Sequence, residues 1–231
     1  MCFSPEASFT GGIVISAIGI AAIRKISHPR QLLFAGIPLF FGIQQIAEGG
    51  VWVSLPDPAL AGLQRAGTFV FLLMARVIWP MLIPLSLLLM EKDATRRSAL
   101  SVLLAMGLSV SVYYSYCLLF LTVTPHMSGH HIQYVSDYPE SLAVPVFIIY
   151  FVAAITPFFI STVQKIRVLG AFMFLSCLAT AIFFVQYLTS VWCFFAAMIS
   201  VVIIWILRSD TRSIAEAAAE RSALSTEGGS V

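Results

Sequence analysis

Residues 66–90 read AGTFVFLLMARVIWPMLIPLSLLLM, a run in which Arg76 is the only charged side chain. A helix needs about 20 predominantly apolar residues to cross roughly 30 Å of hydrocarbon, and this run exceeds that requirement. The same character recurs on both sides of it. Apolar stretches at 8–23, 31–52, 98–122, 141–163, 168–187 and 191–207 bring the expected number of spans to seven. Unbroken runs of this length exclude a barrel, whose strands are segments of roughly ten residues with alternating polarity. Helices also satisfy their own backbone polar groups in lipid. The expected fold is therefore an all-α, polytopic bundle of seven transmembrane helices. Its first span is the shortest and carries Gly11, Gly12, Ala17, Gly19, Ala21 and Ala22, small residues suited to close helix contact. Pro38, Pro80, Pro84, Pro145 and Pro157 are expected to bend or locally open their helices.

Composition points the same way. The 231-residue chain is 59% hydrophobic and 10% charged, with a mean hydropathy of +0.94, which excludes an ordinary soluble domain. A formal net charge of +2 offers no field for nucleic acid, so the expected surroundings are membrane lipids. Seven spans place Arg24, Lys25, Arg30, Lys92, Arg96, Arg97, Lys165, Arg167, Arg208, Arg212 and Arg221, 11 of the 13 basic residues, on one side. The positive-inside rule then puts the amino terminus outside and the carboxyl terminus in the cytoplasm, in a cell inner membrane. The opening MCFSPEASF has no basic residue before its apolar run, so a cleaved signal is not expected. Residues 1–209 form the expected membrane domain. Residues 210–231, rich in Ala, Glu, Ser and Gly, form a short, partly disordered cytosolic tail.

Intramembrane polar groups mark the places where chemistry is possible. Glu48 is the one acidic residue inside a span, about 9 Å below the outer boundary if its helix ends near Ser54. A bare carboxylate there is costly and must meet water, a proton, a cation or a metal. Gln44, four residues earlier, shares its helix face. Arg76 lies deeper, and two roles are open to it: a bridge to Glu48, or a planar donor fork for an anionic ligand. Tyr113 and Tyr116, in the patch YYSYC, have rings suited to orienting a ligand or to anchoring at the interface. Cys2, Cys117, Cys177 and Cys193 lack the spacing of a thiolate metal site or a redox pair; a bridge between Cys2 and Cys193 is left open.

The external connection PHMSGHHIQYVSDYPES gathers His126, His130, His131, Asp137 and Glu140 without a lysine or arginine. Imidazole and carboxylate suit a divalent transition metal, most readily zinc. If the segment is helical, His126 and His130 share a face. The expected metal ligands are His126, His130, His131 and Glu48. A metal-bound water would then serve as nucleophile, with Glu48 or Asp137 as proton acceptor. The alternative is a solvated, pH-sensitive loop.

MCFSPEASF, QQIAEGGVW and the HH-containing loop together resemble an uncharacterised bacterial family of seven-helix membrane proteins. That resemblance implies no activity or residue roles. The chain also resembles, weakly, the superfamily of metal-dependent membrane hydrolases that includes alkaline ceramidases. Those enzymes carry metal-binding histidines on a late helix, whereas this sequence has none after His131. No lysine occupies a Schiff-base position in the seventh span, and no span contains paired aspartates. The expected function is a membrane-embedded, metal-dependent enzyme, a hydrolase of a lipid or amphipathic small molecule, with its site at the external face. Arg76, Gln44, Tyr113 and Tyr116 would bind that substrate. Transport of a small molecule or ion, and metal binding without catalysis, are the competing expectations.

Overall fold

The computed structural model describes residues 4–129, 131–183, 200 and 202–203. The protein is a mostly helical, multi-pass membrane protein. Helix α1 spans Pro5–Ile23, α2 Leu32–Ser54 and α3 Ala61–Leu72; a π-helical segment, Leu73–Ile78, joins α3 to α4 (Trp79–Met90). Then follow α5 (Ala94–Phe120), strands β1 (Val123–Ser128) and β2 (His131–Ser136), α6 (Glu140–Ile160) and α7 (Gln164–Phe183). Among the described residues five helical segments are long and apolar enough to cross a membrane: Pro5–Ile23, Pro29–Ser54, Pro58–Met90, Ala94–Phe120 and Glu140–Ile160. Helix α7 follows the sixth expected span from its basic start. All of the expected span at 191–207 except residues 200 and 202–203, the tail, and both ends of the Cys2 to Cys193 bridge lie outside the described residues.

Small residues set the spacing of α1 and α2. A Cβ added to Gly19 would lie 2.5 Å from the Leu39 backbone nitrogen, so the two helices meet there at backbone distance. Such close approach maximises van der Waals contact where lipid supplies no hydrophobic drive for helix association. Of the small residues anticipated on α1, Gly12 and Gly19 make these contacts. The core continues through Phe34, Ile15, Leu87, Leu100, Phe158 and Leu169, all at most 2% exposed.

The third membrane segment is shaped by its prolines. Pro80 has no N–H to return to the preceding turn, and the backbone passes through a π turn just before it. Neighbouring helices take up carbonyls in this stretch. The Tyr150 hydroxyl on α6 donates to the Ala75 carbonyl at 2.8 Å, and the Ser111 hydroxyl on α5 donates to the Val77 carbonyl at 2.6 Å. Pro84 similarly leaves the Pro80 carbonyl without its usual helical donor. That carbonyl lies so close to α5 that a Cβ on Gly107 would be 1.9 Å from it, so only glycine fits. These side-chain substitutions let a broken helix persist in hydrocarbon.

At one end of the bundle stand Arg24, Lys25, Arg30, Lys92, Arg96, Arg97, Lys165 and Arg167; this is its basic end. Glu91, 5% exposed, ties two connections together there. Its carboxylate accepts from the backbone N–H groups of Lys92 (2.9 Å), Asp93 (3.2 Å) and, across the bundle, Thr162 (3.1 Å). Arg97 donates to the carbonyls of Leu88 and Glu91, and Arg96 to that of Ile160. Burial pushes the Glu91 carboxyl upward, but the hydrogen bonds outweigh it and hold the group below its ordinary range.

At the opposite end the histidine segment, read as an external loop that would bring His126 and His130 together if helical, is instead a β-hairpin. Residues 123–136 form an antiparallel hairpin, with Gly129 at φ 60° in its turn. A positive φ at this position suits a tight hairpin turn, and glycine adopts it without strain. Alternation sorts the side chains. Ile132 is 1% exposed and packs in one cluster with Val51 and Trp52, while the Tyr134 ring stacks on Phe71 at 4.9 Å and 17°. The hairpin is thereby docked on the ends of α2 and α3. Asp137 closes its stem: the Thr122 hydroxyl donates to the Asp137 carboxylate, and the Asp137 N–H donates to the Thr122 carbonyl at 3.2 Å.

Candidate functional site

A cavity of about 390 Å³ opens between the hairpin exit and the middle of the bundle. This volume falls within the range of roughly 300–1,000 Å³ usual for small-molecule sites. One wall is a stripe on α6: Glu140, Ala143, Phe147, Tyr150 and Ala154. Alternating steps of three and four residues keep them on one helix face over about 21 Å. Facing them are Arg76, Trp79 and Ile83, with Tyr113 and Tyr114 from α5, and Phe41 and Gln44 from α2. Ser136, Tyr138 and Pro139 come from the hairpin exit, and Met173 from α7.

Polar groups gather toward the hairpin end. The Arg76 guanidinium lies 4.9 Å from the ring centre of Tyr138 and 5.6 Å from that of Tyr114. Aromatic faces hold a cation without neutralising it, and each contact contributes on the order of 1 kcal/mol. Among the described residues no carboxylate forms an ion pair with Arg76, although Glu140 lines the same cavity. Burial raises the Tyr138 phenol above its usual range while the Arg76 charge draws it down, the net result being upward. Tyr138 therefore remains a neutral cushion at physiological pH.

Gln44 is fixed by the cavity wall itself. Its side-chain oxygen accepts from the Trp79 indole N–H at 2.7 Å, and the Trp79 ring stacks on Phe41 at 4.0 Å. Toward the basic end the lining becomes apolar, with Ile83, Ala154 and Met173. The space thus has a charged, aromatic mouth and a hydrocarbon floor, an arrangement that accepts an amphipathic molecule.

Of the residues singled out in the sequence, Arg76, Gln44 and Tyr113 meet at this cavity. Tyr116 does not line it; it is 58% exposed and packs against Phe120 at 4.9 Å, roughly a third of a turn around α5 from the cavity-facing side. Glu48 is fully buried elsewhere on α2, where its carboxylate accepts from the Gln45 amide at 2.8 Å. The anticipated bridge from Arg76 to Glu48 is not formed, because Arg76 is turned toward the α5 and hairpin-exit rings. Asp137 is engaged at the hairpin stem.

The hairpin register places His126 opposite Gln133 and Ser128 opposite His131. Both histidines therefore occupy the face opposite to Ile132 and Tyr134, which pack on the bundle. Among the described residues no three His, Cys, Asp or Glu side chains come together as a metal-sized group; His130 lies outside those residues. Tyr114, in the same YYSYC patch as Tyr113, lines the cavity too, whereas Tyr150 and Trp79 give no sign of it in the sequence, each being one aromatic in an apolar run. Glu140 stands out in the sequence only as a carboxylate of the external histidine loop.

No curated protein and no solved structure matches the chain. A family model does, over residues 1–220, and with that coverage the chain belongs to the family of unknown function DUF6629.

Proposed function

We propose that this protein binds an amphipathic small molecule within the membrane, with Arg76 receiving the molecule's anionic group. The observation that carries this reading is an arginine at a ligand-sized cavity, cushioned by Tyr114 and Tyr138 and joined to no carboxylate among the described residues. An ionisable side chain inside a membrane protein is costly and usually functional. The guanidinium fork matches a phosphate or carboxylate, and the floor at Ile83 and Met173 suits the apolar part. By the positive-inside rule the hairpin end is external, the chain spans a bacterial inner membrane seven times, and its amino terminus is outside.

Trp79 lines the cavity and supplies the test. Titration of the purified protein in detergent with an alkyl phosphate is expected to change tryptophan fluorescence saturably, and Arg76→Gln to weaken that binding at least tenfold. Tyr116→Ala is expected to leave it unchanged. Absence of saturable binding, or equal binding by Arg76→Gln, overturns the proposal.

Metal-assisted hydrolysis of the bound molecule is a second reading, favoured by one observation: His126 and His131 share a hairpin face. It calls for zinc and for a water activated near Glu48 or Asp137. Stoichiometric metal whose removal abolishes turnover supports it. Folded, ligand-binding protein that purifies without metal counts against it, and uptake into proteoliposomes without chemical change identifies a transporter instead.

A further inference from the structure

The cavity carries two opposite charges that do not neutralise each other. Glu140 opens α6 at the cavity rim, and no ion pair joins it to Arg76. Their heights differ. Tyr150 donates to the carbonyl of Ala75, the residue before Arg76, and Tyr150 lies ten residues, about 15 Å, along α6 from Glu140. The backbone carrying Arg76 is thus near the Tyr150 level. Its side chain rises to Tyr114 and Tyr138, whereas Glu140 stands at the mouth. From floor to mouth the sequence of environments is hydrocarbon, a cation flanked by aromatic rings, and a carboxylate.

We infer that the occupant is a zwitterionic, single-chain phospholipid-like amphiphile, with a phosphate joined through a short linker to an ammonium group. This inference rests on the binding role proposed above and specifies its ligand. In such a molecule the alkyl chain, the phosphate and the ammonium follow one another in the order in which the cavity presents their complements. Ile83, Ala154 and Met173 receive the chain, Arg76 the phosphate, and Glu140 the ammonium. The ring of Tyr113, which also lines the cavity, adds a face on which an ammonium group is favoured. A purely anionic amphiphile would satisfy Arg76 but would approach an unneutralised carboxylate at the rim. Glu140 therefore acts as a specificity residue, by attraction for one headgroup and repulsion of the other.

The test compares three probes by tryptophan fluorescence, using the full chain in detergent: a lysophosphatidylethanolamine, an alkyl phosphate of equal chain length, and free phosphoethanolamine. The zwitterionic amphiphile is expected to bind at least tenfold more tightly than the alkyl phosphate. Glu140→Gln is expected to collapse that ratio to within about threefold, by weakening the first and strengthening the second. Glu140 is exposed, so the variant is expected to fold. Equal affinities in the wild type, or a ratio unmoved by Glu140→Gln, overturn the zwitterion assignment while leaving the anion-binding role intact. Free phosphoethanolamine binding as tightly as the amphiphile overturns the lipid assignment. Binding of neither amphiphile, or no loss with Arg76→Gln, defeats the underlying role instead.

Discussion

The two ends of the bundle each hold a charge removed from bulk water, and they treat it in opposite ways. At the basic end the Glu91 carboxylate is consumed by the fold: three backbone N–H groups from two connections converge on it. At the hairpin end Arg76 is positioned by aromatic faces that leave its hydrogen-bonding edge uncommitted to any carboxylate among the described residues. A charge whose partners are all built in is structural. One that is held in place but not neutralised remains available to something outside the chain.

The strongest way to break this contrast is to remove the structural charge. Glu91→Ala strands the N–H groups of Lys92, Asp93 and Thr162 and is expected to cost about 3 kcal/mol, read by thermal denaturation in detergent. Next is the hairpin dock. Ile132→Ala empties a site that is 1% exposed and is expected to cost about 2 kcal/mol, with hydrogen exchange rising first in residues 123–136. Acid sharpens the comparison further. Because the Glu91 pKa is lower in the folded protein, its contribution is present above the unfolded value of 4.5 and lost as pH falls through the folded one. Melting temperature is therefore expected to fall under acid in the wild type and to respond less in Glu91→Gln. The smallest stability effect belongs to Arg76→Gln, expected to be within about 1 kcal/mol even though ligand binding is lost, because the two ring contacts given up are offset by removal of a charge that no carboxylate among the described residues neutralises. A large destabilisation there would make the two charges alike and erase the distinction.

Much of this was written in the sequence where lipid imposes its rules. The second helix ends at Ser54 as its hydropathy indicates, and Arg76, Gln44 and Tyr113 announce themselves as polar or amphipathic groups in apolar runs. The hairpin was legible only in retrospect. Val123, Pro125 and Met127, then Ile132 and Tyr134, alternate with polar residues around Ser-Gly, but three histidines at close spacing drew attention to metal ligation by a loop instead. Glu91 escaped notice because it adjoins Lys92 and Asp93 and looks like part of a solvated charge run. Its role depends on Thr162, 71 positions away, and no local pattern encodes that meeting. Glu140 was visible as a loop carboxylate, yet its association with Arg76 required the face of α6 that only the packed bundle defines.

The π turn at Leu73–Ile78 carries a consequence for how this segment tolerates change. A π turn accommodates one more residue than the α-helical path it interrupts. Deleting a single position within it would restore regular winding without shortening the membrane crossing appreciably. The faces of the two halves would stay in phase, because the wider turn is what absorbs the extra residue. Phe71 would keep the ring of Tyr134 and Trp79 would keep Gln44, so an in-frame loss of one codon here would be borne better than the same loss in the regular winding of α4, where one half would turn against the other by about 100°.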